Sequence, residues 1–401
     1  MKYVIMVGDG MSDRPIKELN GKTPLEVAKI PAMNEIVKAG MIGTVKTIPN
    51  GLKPGSDVAN LAVLGYDPKV YYTGRGPLEA ANMGVEIAKD EVAFRCNLVT
   101  VENDILADYS AGHITNKESS LLISFLKESM GSESIRFIHG KSYRHLVIFK
   151  TKSPDELDEL VKTVTTPPHD IMGATLSNHL PKGRIAALLT DLMERSRMLL
   201  EKHEINKKRI VLKENPGNMI WLWGQGTNPS IPSFKGLFGV DGAVISAVDL
   251  VNGIGKLVGL EVINVPGATG YYDTNYQGKG DYAVKALDDK DFVFVHVEAP
   301  DEAGHNGDML AKISAIESFD KYVVATVWNY LKASKDFRVM VLPDHATPIS
   351  LRTHVTDPVP FAMAGSGVDH NGFDVYSETV AALSSIKFES GTSLTEAFFK
   401  R

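Results

Sequence analysis

Acidic and imidazole side chains recur along this chain just past short apolar runs. Asp9 follows YVIMVG, Asp301 and His305 follow DFVFVHVEAP in the spacing DEAGH, Asp344 and His345 follow RVMVLP, and His354 comes nine residues later. Imidazole nitrogen with carboxylate oxygen is a donor mixture that borderline cations such as Zn²⁺ and Mn²⁺ accept, and no thiolate is needed. These six side chains are too many for one catalytic metal with an open position. They suit two ions roughly 4 Å apart, an arrangement that clamps the attacking and leaving oxygens of a phosphoryl transfer. Taken singly each residue has an ordinary reading: Asp9 in GDG as a turn residue, His354 as a surface histidine. The metal reading rests on the set.

A nucleophile is the remaining part, and PGSDVANLAVLGYDP (54–68) contains a candidate. Ser56 follows Pro54-Gly55, in a turn that can hand over to a helix beginning near Val58. A helix N-terminus offers free N–H groups and a positive dipole end to an incoming phosphate. The competing reading is that Ser56 or Asp57 merely caps that helix.

Such chemistry needs elements that carry distant residues to one edge. YVIMV (3–7), closed by Gly8-Asp9-Gly10, is a buried-strand signature with a turn behind it. From residue 242 the pattern is regular. GAVISA predicts a strand, VDLVNGIGKLVG a helix, EVINVPG a strand, the stretch near DYAVKAL a helix and DFVFVHV a strand. A long helix over about 308–333 follows, then the strands RVMVLP and PFAMAG. This alternation predicts an α/β fold: a mostly parallel sheet with helices on both faces. In such a sheet the carboxyl ends of the strands share one edge, where ligands bind.

The middle of the chain reads differently. FRCNLVTV and ILADYSAG flank Glu102-Asn103-Asp104, a hairpin turn, and IRFIHG with YRHLVIFK suggests a second hairpin. Helical stretches fall at 117–130, 154–164 and 183–203, the second opened by Ser153-Pro154. The expectation is a smaller α+β domain over 86–238, inserted into a core formed by 1–85 and 239–401. PSFKGLFGVDG (232–242) reads as the return linker.

The chain has 401 residues, 43 % hydrophobic and 23 % charged, which is ordinary globular composition. A formal net charge of −6 gives no general attraction to nucleic acid or to an anionic membrane. The one cysteine, Cys96, excludes an intramolecular disulfide, fits a reducing compartment and reads as a small buried strand residue. The apolar run after Lys2 is too short for a secretory signal, and no stretch approaches the roughly 20 apolar residues of a membrane span. The expected location is the cytoplasm. EKHEINKKR (201–209) reads as a solvated helix end, Trp221 and Trp223 as packing residues, and His296 as a satisfied core histidine.

MVGDGMSDRP, GSDVANLAVLGYDP, YTGRGPLEAANMG, APDEAGHNGD and LPDHATP together resemble the motifs of archaeal-type 2,3-bisphosphoglycerate-independent phosphoglycerate mutases, in the alkaline phosphatase superfamily. The similarity extends through GAVISAVDLVNGIGKLVGLE and GATGYYDTNYQGK. The resemblance implies that Ser56 is transiently phosphorylated and that no 2,3-bisphosphoglycerate is used. It implies one metal on Asp9, Ser56, Asp344 and His345, and another on Asp301, His305 and His354, with Mn²⁺ preferred and Mg²⁺, Co²⁺ or Zn²⁺ as alternatives. The inserted domain would reorient the monophosphoglycerate so that the phosphate returns to the other hydroxyl, with water excluded. Arg144, Arg75 and Lys256 are then candidate grips on the substrate's anionic groups. His113, His169 and Asp170 are candidates for acid/base work on its hydroxyls. The metal motif alone leaves open a phosphatase or another phosphotransferase on the same core. The oligomeric state stays open.

Overall fold

A computed structural model describes residues 1–334 and 336–400, and the chain divides into two units, Met1–Tyr72 with Ile231–Arg401, and Thr73–Ser230. Strands β1 (Lys2–Gly8) and β2 (Gly40–Val45) precede the excursion. Within it lie β3 (Glu91–Glu102), β4 (Ile105–Asp108), β5 (Ile135–Lys141), β6 (Arg144–Lys150) and β7 (Met219–Gly226). After it come β8 (Gly242–Ile245), β9 (Glu261–Val262), β10 (Phe292–Val297), β11 (Phe337–Leu342), β12 (Val359–Gly365) and β13 (Lys387–Phe388).

The first unit carries an eight-stranded sheet in the order β13-β2-β12-β11-β1-β10-β8-β9. β1 runs parallel to both β10 and β11, and β10 parallel to β8. Helices cover both faces, so the central strands are buried throughout: every residue of FVFVHV in β10 is, and β1 is from Tyr3 to Gly8. That explains why they read as unbroken apolar runs rather than as alternating ones. The expected mostly parallel α/β sheet is what forms, with β12 antiparallel to β11 and β2. EVINVPG contributes only the two-residue edge strand β9.

Two expectations change in this unit. The stretch 308–333 is not one α-helix: Met309–Ser318 passes through a π turn, Phe319–Val324, into Ala325–Lys332. The π turn carries Asp320, whose carboxylate accepts from the N–H groups of Ala32 (3.1 Å) and Met33 (2.7 Å), capping the helix Pro31–Ala39 from outside. The presumed linker 232–242 contains the helix Phe234–Phe238. Phe234 stacks on Phe292 at 4.5 Å and Phe238 on Phe399 at 4.6 Å, so this segment belongs to the core.

The second unit is built on an antiparallel sheet, β4-β3-β6-β5, with β7 also paired to β3. Helices Asn116–Met130, Pro154–Lys162 and Ala186–Leu200 accompany it, close to the three helical stretches expected. Cys96, Trp221 and Trp223 are buried here; the indole N–H of Trp221 donates to Thr166 O and that of Trp223 to Asn97 Oδ1. Among the described residues no helix is long and apolar enough to cross a membrane.

Candidate active site

The parallel strands β1, β10 and β11 end side by side, and each delivers acidic groups at its carboxyl end. Asp9 follows β1, Asp301 opens the helix Ala299–Asn306 after β10, and Asp344-His345 follows β11. Gly10 has φ +58°, and a Cβ there would lie 2.7 Å from Asp301 Cα, so only glycine lets the β1 turn pass this close. Gly304 plays a similar part, since a Cβ would meet Thr347 O at 2.6 Å.

One group consists of Asp301, His305 and His354. Asp301 and His305 stand four residues apart on one helix face, with His305 Nε2 3.2 Å from Asp301 Oδ2. His354, brought in where Val355 N donates to Ala346 O, puts its Nε2 2.9 Å from His305 Nε2 and 3.5 Å from Asp301 Oδ1. His305 Nδ1 lies 3.0 Å from Arg352 O. A carbonyl only accepts, so Nδ1 carries a proton and it is Nε2 that faces the group.

The second group centres on Ser56. The helix starts at Ser56 itself (Ser56–Val63), with Gly55 as the N-cap residue and no side-chain cap. Ser56 is therefore not a cap. Its Oγ lies 3.1 Å from His345 Nε2 and 3.4 Å from Asp9 Oδ2, and His345 Nε2 is 3.4 Å from Asp9 Oδ1 and 3.5 Å from Asp344 Oδ2. Thr347 donates its hydroxyl proton to Asp301 Oδ1 and so accepts from His345 Nδ1 at 3.2 Å, leaving the Nε2 lone pair facing Ser56. Asn60, one turn along the helix, donates to Ser56 O (2.9 Å) and to Asp344 Oδ2 (2.8 Å). Nothing in the sequence reading marked Asn60; its spacing of four from Ser56 was the available signal.

Behind both groups stands Lys312, fully buried, whose Nζ donates to Asp13 Oδ2 (2.8 Å), Thr347 O (2.8 Å) and Ser12 O (3.2 Å). It ties the loop after Asp9 to the loop after His345.

The donor set fits two divalent ions. Around an ion with bonds of about 2.1 Å, neighbouring ligand atoms lie roughly 3.0 Å apart in an octahedron and roughly 3.4 Å in a tetrahedron. The separations above, 2.9–3.5 Å, lie close to those values. Asp9 Oδ1 is buried without a hydrogen-bond partner. Burial, with Asp344, Glu298 and Asp301 close by, holds the Asp9 carboxyl well above the usual carboxylate range, and burial pushes Glu298 up to about 8. Such crowding calls for local positive charge. Burial also lowers His345 to about 4, which keeps its ring neutral and able to ligate.

His296 departs from expectation. It is not a satisfied core histidine: its Nε2 is buried without a hydrogen-bond partner and lies 3.0 Å from Asp9 Oδ2.

Lys256 is exposed in the last turn of the helix Asp249–Leu257. In the second unit, Arg144 and Arg95 share one face of the β3–β6 pair, where Arg144 opposes Asn97 and Arg95 precedes it by two. The guanidinium groups of Arg95 and Arg75 lie 4.3 and 5.7 Å from the Trp223 ring centre, and that of Arg144 5.7 Å from Tyr143. His169 meets the edge of Trp223 at 5.3 Å and lies 3.5 Å from Asp170, while exposed His113 stands 6.0 Å from Tyr143. Arg95, absent from the sequence reading, is buried and paired with Glu79 at 2.9 Å.

Residues 37–206 match the family model described as 2,3-bisphosphoglycerate-independent phosphoglycerate mutase. The mutase of that name from Methanothrix thermoacetophila is 52 % identical over 383 residues, 95 % of each chain. A solved structure from Pyrococcus horikoshii superposes with a TM-score of 0.81 at 30 % identity, covering 99 % of this chain and 96 % of that one. A cofactor-independent phosphoglycerate mutase from Thermoplasma acidophilum gives 0.65 at 27 % identity, covering 99 % of each. With identity of this degree running the length of both chains, this chain belongs to the 2,3-bisphosphoglycerate-independent phosphoglycerate mutase family.

Proposed function

We propose that this chain interconverts 3-phosphoglycerate and 2-phosphoglycerate through a transient phosphate ester on Ser56, with no 2,3-bisphosphoglycerate required. The observation that carries the reading is the Ser56 hydroxyl, 3.1 Å from His345 Nε2 and 3.4 Å from Asp9 Oδ2 in a buried cluster, in a chain whose relatives bear the mutase name. Asp301, His305 and His354 would hold one divalent ion, and Asp9, Ser56, Asp344 and His345 the other, Mn²⁺ in preference to Mg²⁺, Co²⁺ or Zn²⁺. When bound, such ions neutralise charge on the non-bridging phosphate oxygens and lower the pKa of a coordinated hydroxyl.

Ser56 Oγ gives up its proton and attacks phosphorus in line; the Oγ–P bond forms as the bond from phosphorus to the substrate's 3-oxygen breaks, and that oxygen takes up one proton in exchange for the one the serine lost. The N-terminus of the Ser56–Val63 helix would turn the positive end of its dipole to the transferred phosphate. In the return step the 2-hydroxyl gives up its proton and bonds to phosphorus, freeing the serine. Water must be kept from the ester, because hydrolysis would release inorganic phosphate instead. The substrate's carboxylate needs cations of its own. We assign that part to Arg144 and Arg75, keep Lys256 as a further candidate, and assign hydroxyl proton transfer to one of His113, His169 and Asp170. The setting we infer is the cytoplasm, in glycolysis or gluconeogenesis.

Purified protein given Mn²⁺ and 3-phosphoglycerate, with no bisphosphoglycerate added, tests this by phosphorus NMR. The 2-phosphoglycerate signal should grow in, vanish on chelation and return with Mn²⁺. Inorganic phosphate as the sole product would overturn the mutase reading. Full activity in protein shown by elemental analysis to be metal-free would overturn the two-ion reading.

A further inference from the structure

His296 lies within β10, at the centre of the sheet, and is fully buried. Its two ring nitrogens have different surroundings. Nδ1 is 3.3 Å from Ser246 Oγ, just past β8, and that hydroxyl also accepts from Val248 N at 3.0 Å. Nε2 has no hydrogen-bond partner, although Asp9 Oδ2 is only 3.0 Å away. At that distance an N–H aimed at the oxygen would bond it, so Nε2 carries no proton directed at the carboxylate. The nitrogen and the carboxylate oxygen are thus close neighbours that share no proton. One donor atom each from Asp9, His296 and Asp344 falls within 4.8 Å of the other two, the spread of ligands round a single ion. The main chain of His296 is anchored as well, its carbonyl accepting from the buried ammonium of Lys279 at 2.9 Å.

We propose that His296 is a ligand, through Nε2, of the divalent ion held by Asp9 and Asp344. The assignment rests on the two-ion reading and adds a fourth imidazole to His305, His345 and His354. Ser246 is its positioning residue: with Nδ1–H donating to Ser246 Oγ, the ring is held with the Nε2 lone pair forward. This is the usual relation between a metal-bound imidazole and the group behind it. A buried imidazole nitrogen left without proton or partner costs free energy, and a bound cation removes that cost.

Two measurements on the full chain test it. In metal-stripped protein, equilibrium dialysis against Mn²⁺ should show two ions bound to the wild type. In His296→Gln one of the two should bind about 10- to 100-fold more weakly or not at all, and Ser246→Ala should show a smaller loss at the same site. Unchanged affinity at both sites in His296→Gln would overturn the proposal and leave the two-ion reading standing. A wild type that binds no ion would overturn both. Should His296→Gln not fold, wild-type protein labelled with ¹⁵N-histidine and loaded with ¹¹³Cd²⁺ decides the matter. Four imidazoles, His296, His305, His345 and His354, should show nitrogen–cadmium coupling. Coupling from the last three alone would contradict the assignment.

Discussion

At the scale of single residues, Ser56 separates two kinds of contribution. A serine at a helix start ordinarily supplies about 1 kcal/mol through capping. Here Gly55 occupies the cap position and the Ser56 hydroxyl faces His345 and Asp9. Ser56→Ala should therefore leave the melting temperature within a few degrees of wild type and abolish turnover. Retained turnover with a clear loss of melting temperature would reverse the assignment. The residue scale is also where the sequence was most informative. Asp9, Asp301, His305, Asp344, His345 and His354 could be picked out because carboxylate and imidazole types fall just past strand-like runs. His296 could not, since it lies inside such a run and its neighbours in space come from β1 and β8.

At the scale of elements, buried polar contacts decide how the loops are held. Lys312 is enclosed by Ser12, Asp13 and Thr347, none of which is near it in sequence. Lys312→Met would leave the Asp13 carboxylate buried without its partner cation, a loss of about 3–5 kcal/mol. Urea titration of the metal-free protein checks this, and a loss under about 1 kcal/mol would mean that the loops hold without the strut. In the second unit His145, on β6, accepts from Gly140 N at 3.1 Å through Nδ1 and is lowered to about 3 by burial, with His139 adding to the effect. The folded state therefore keeps it neutral while the unfolded chain protonates it near 6.5. Its contribution to stability is complete above pH 6.5 and is lost as pH falls toward 3, by about 1.4 kcal/mol per unit. In urea titrations followed by tryptophan fluorescence, the gap between wild type and His145→Asn should thus shrink by about 2 kcal/mol from pH 7.5 to 5. Parallel curves would mean that His145 does not titrate differently on folding. None of these contacts could be read from periodicity, which reports which face is buried and not what a buried polar atom meets. The π turn at Phe319–Val324 escaped for the same reason, since the contact its Asp320 makes is with the distant N-terminus of the helix Pro31–Ala39.

At the scale of the whole molecule, the division of labour follows from charge. A phosphoglycerate presents about three negative charges, and the ions at Asp9 and Asp301 would meet only the phosphate. The carboxylate falls to cations under the reading proposed above; within the second unit Arg75 and Arg95 lie by Trp223 and Arg144 by Tyr143. Arg95 is committed to Glu79. Arg144→Ala should cost the mutase reaction about 2–3 kcal/mol in kcat/KM while leaving hydrolysis of a small aryl phosphate nearly unchanged. Equal losses in both reactions would assign Arg144 to the fold. The α/β alternation and the antiparallel excursion were legible because strand and helix periods differ. The aromatic packing of 232–242 was not, since Pro and Gly signal a turn without saying what Phe234 and Phe238 will touch.

Rapid acid quench shows whether a phosphate is carried on Ser56 between the two hydroxyls of one glycerate. Enzyme loaded with Mn²⁺ and mixed with excess 3-phosphoglycerate would be quenched within the first turnovers and digested, and the peptide bearing Ser56 examined by mass spectrometry. A phosphate on Ser56 should appear before 2-phosphoglycerate accumulates and be absent without metal. Formation of 2-phosphoglycerate at full rate with Ser56 never phosphorylated would contradict it.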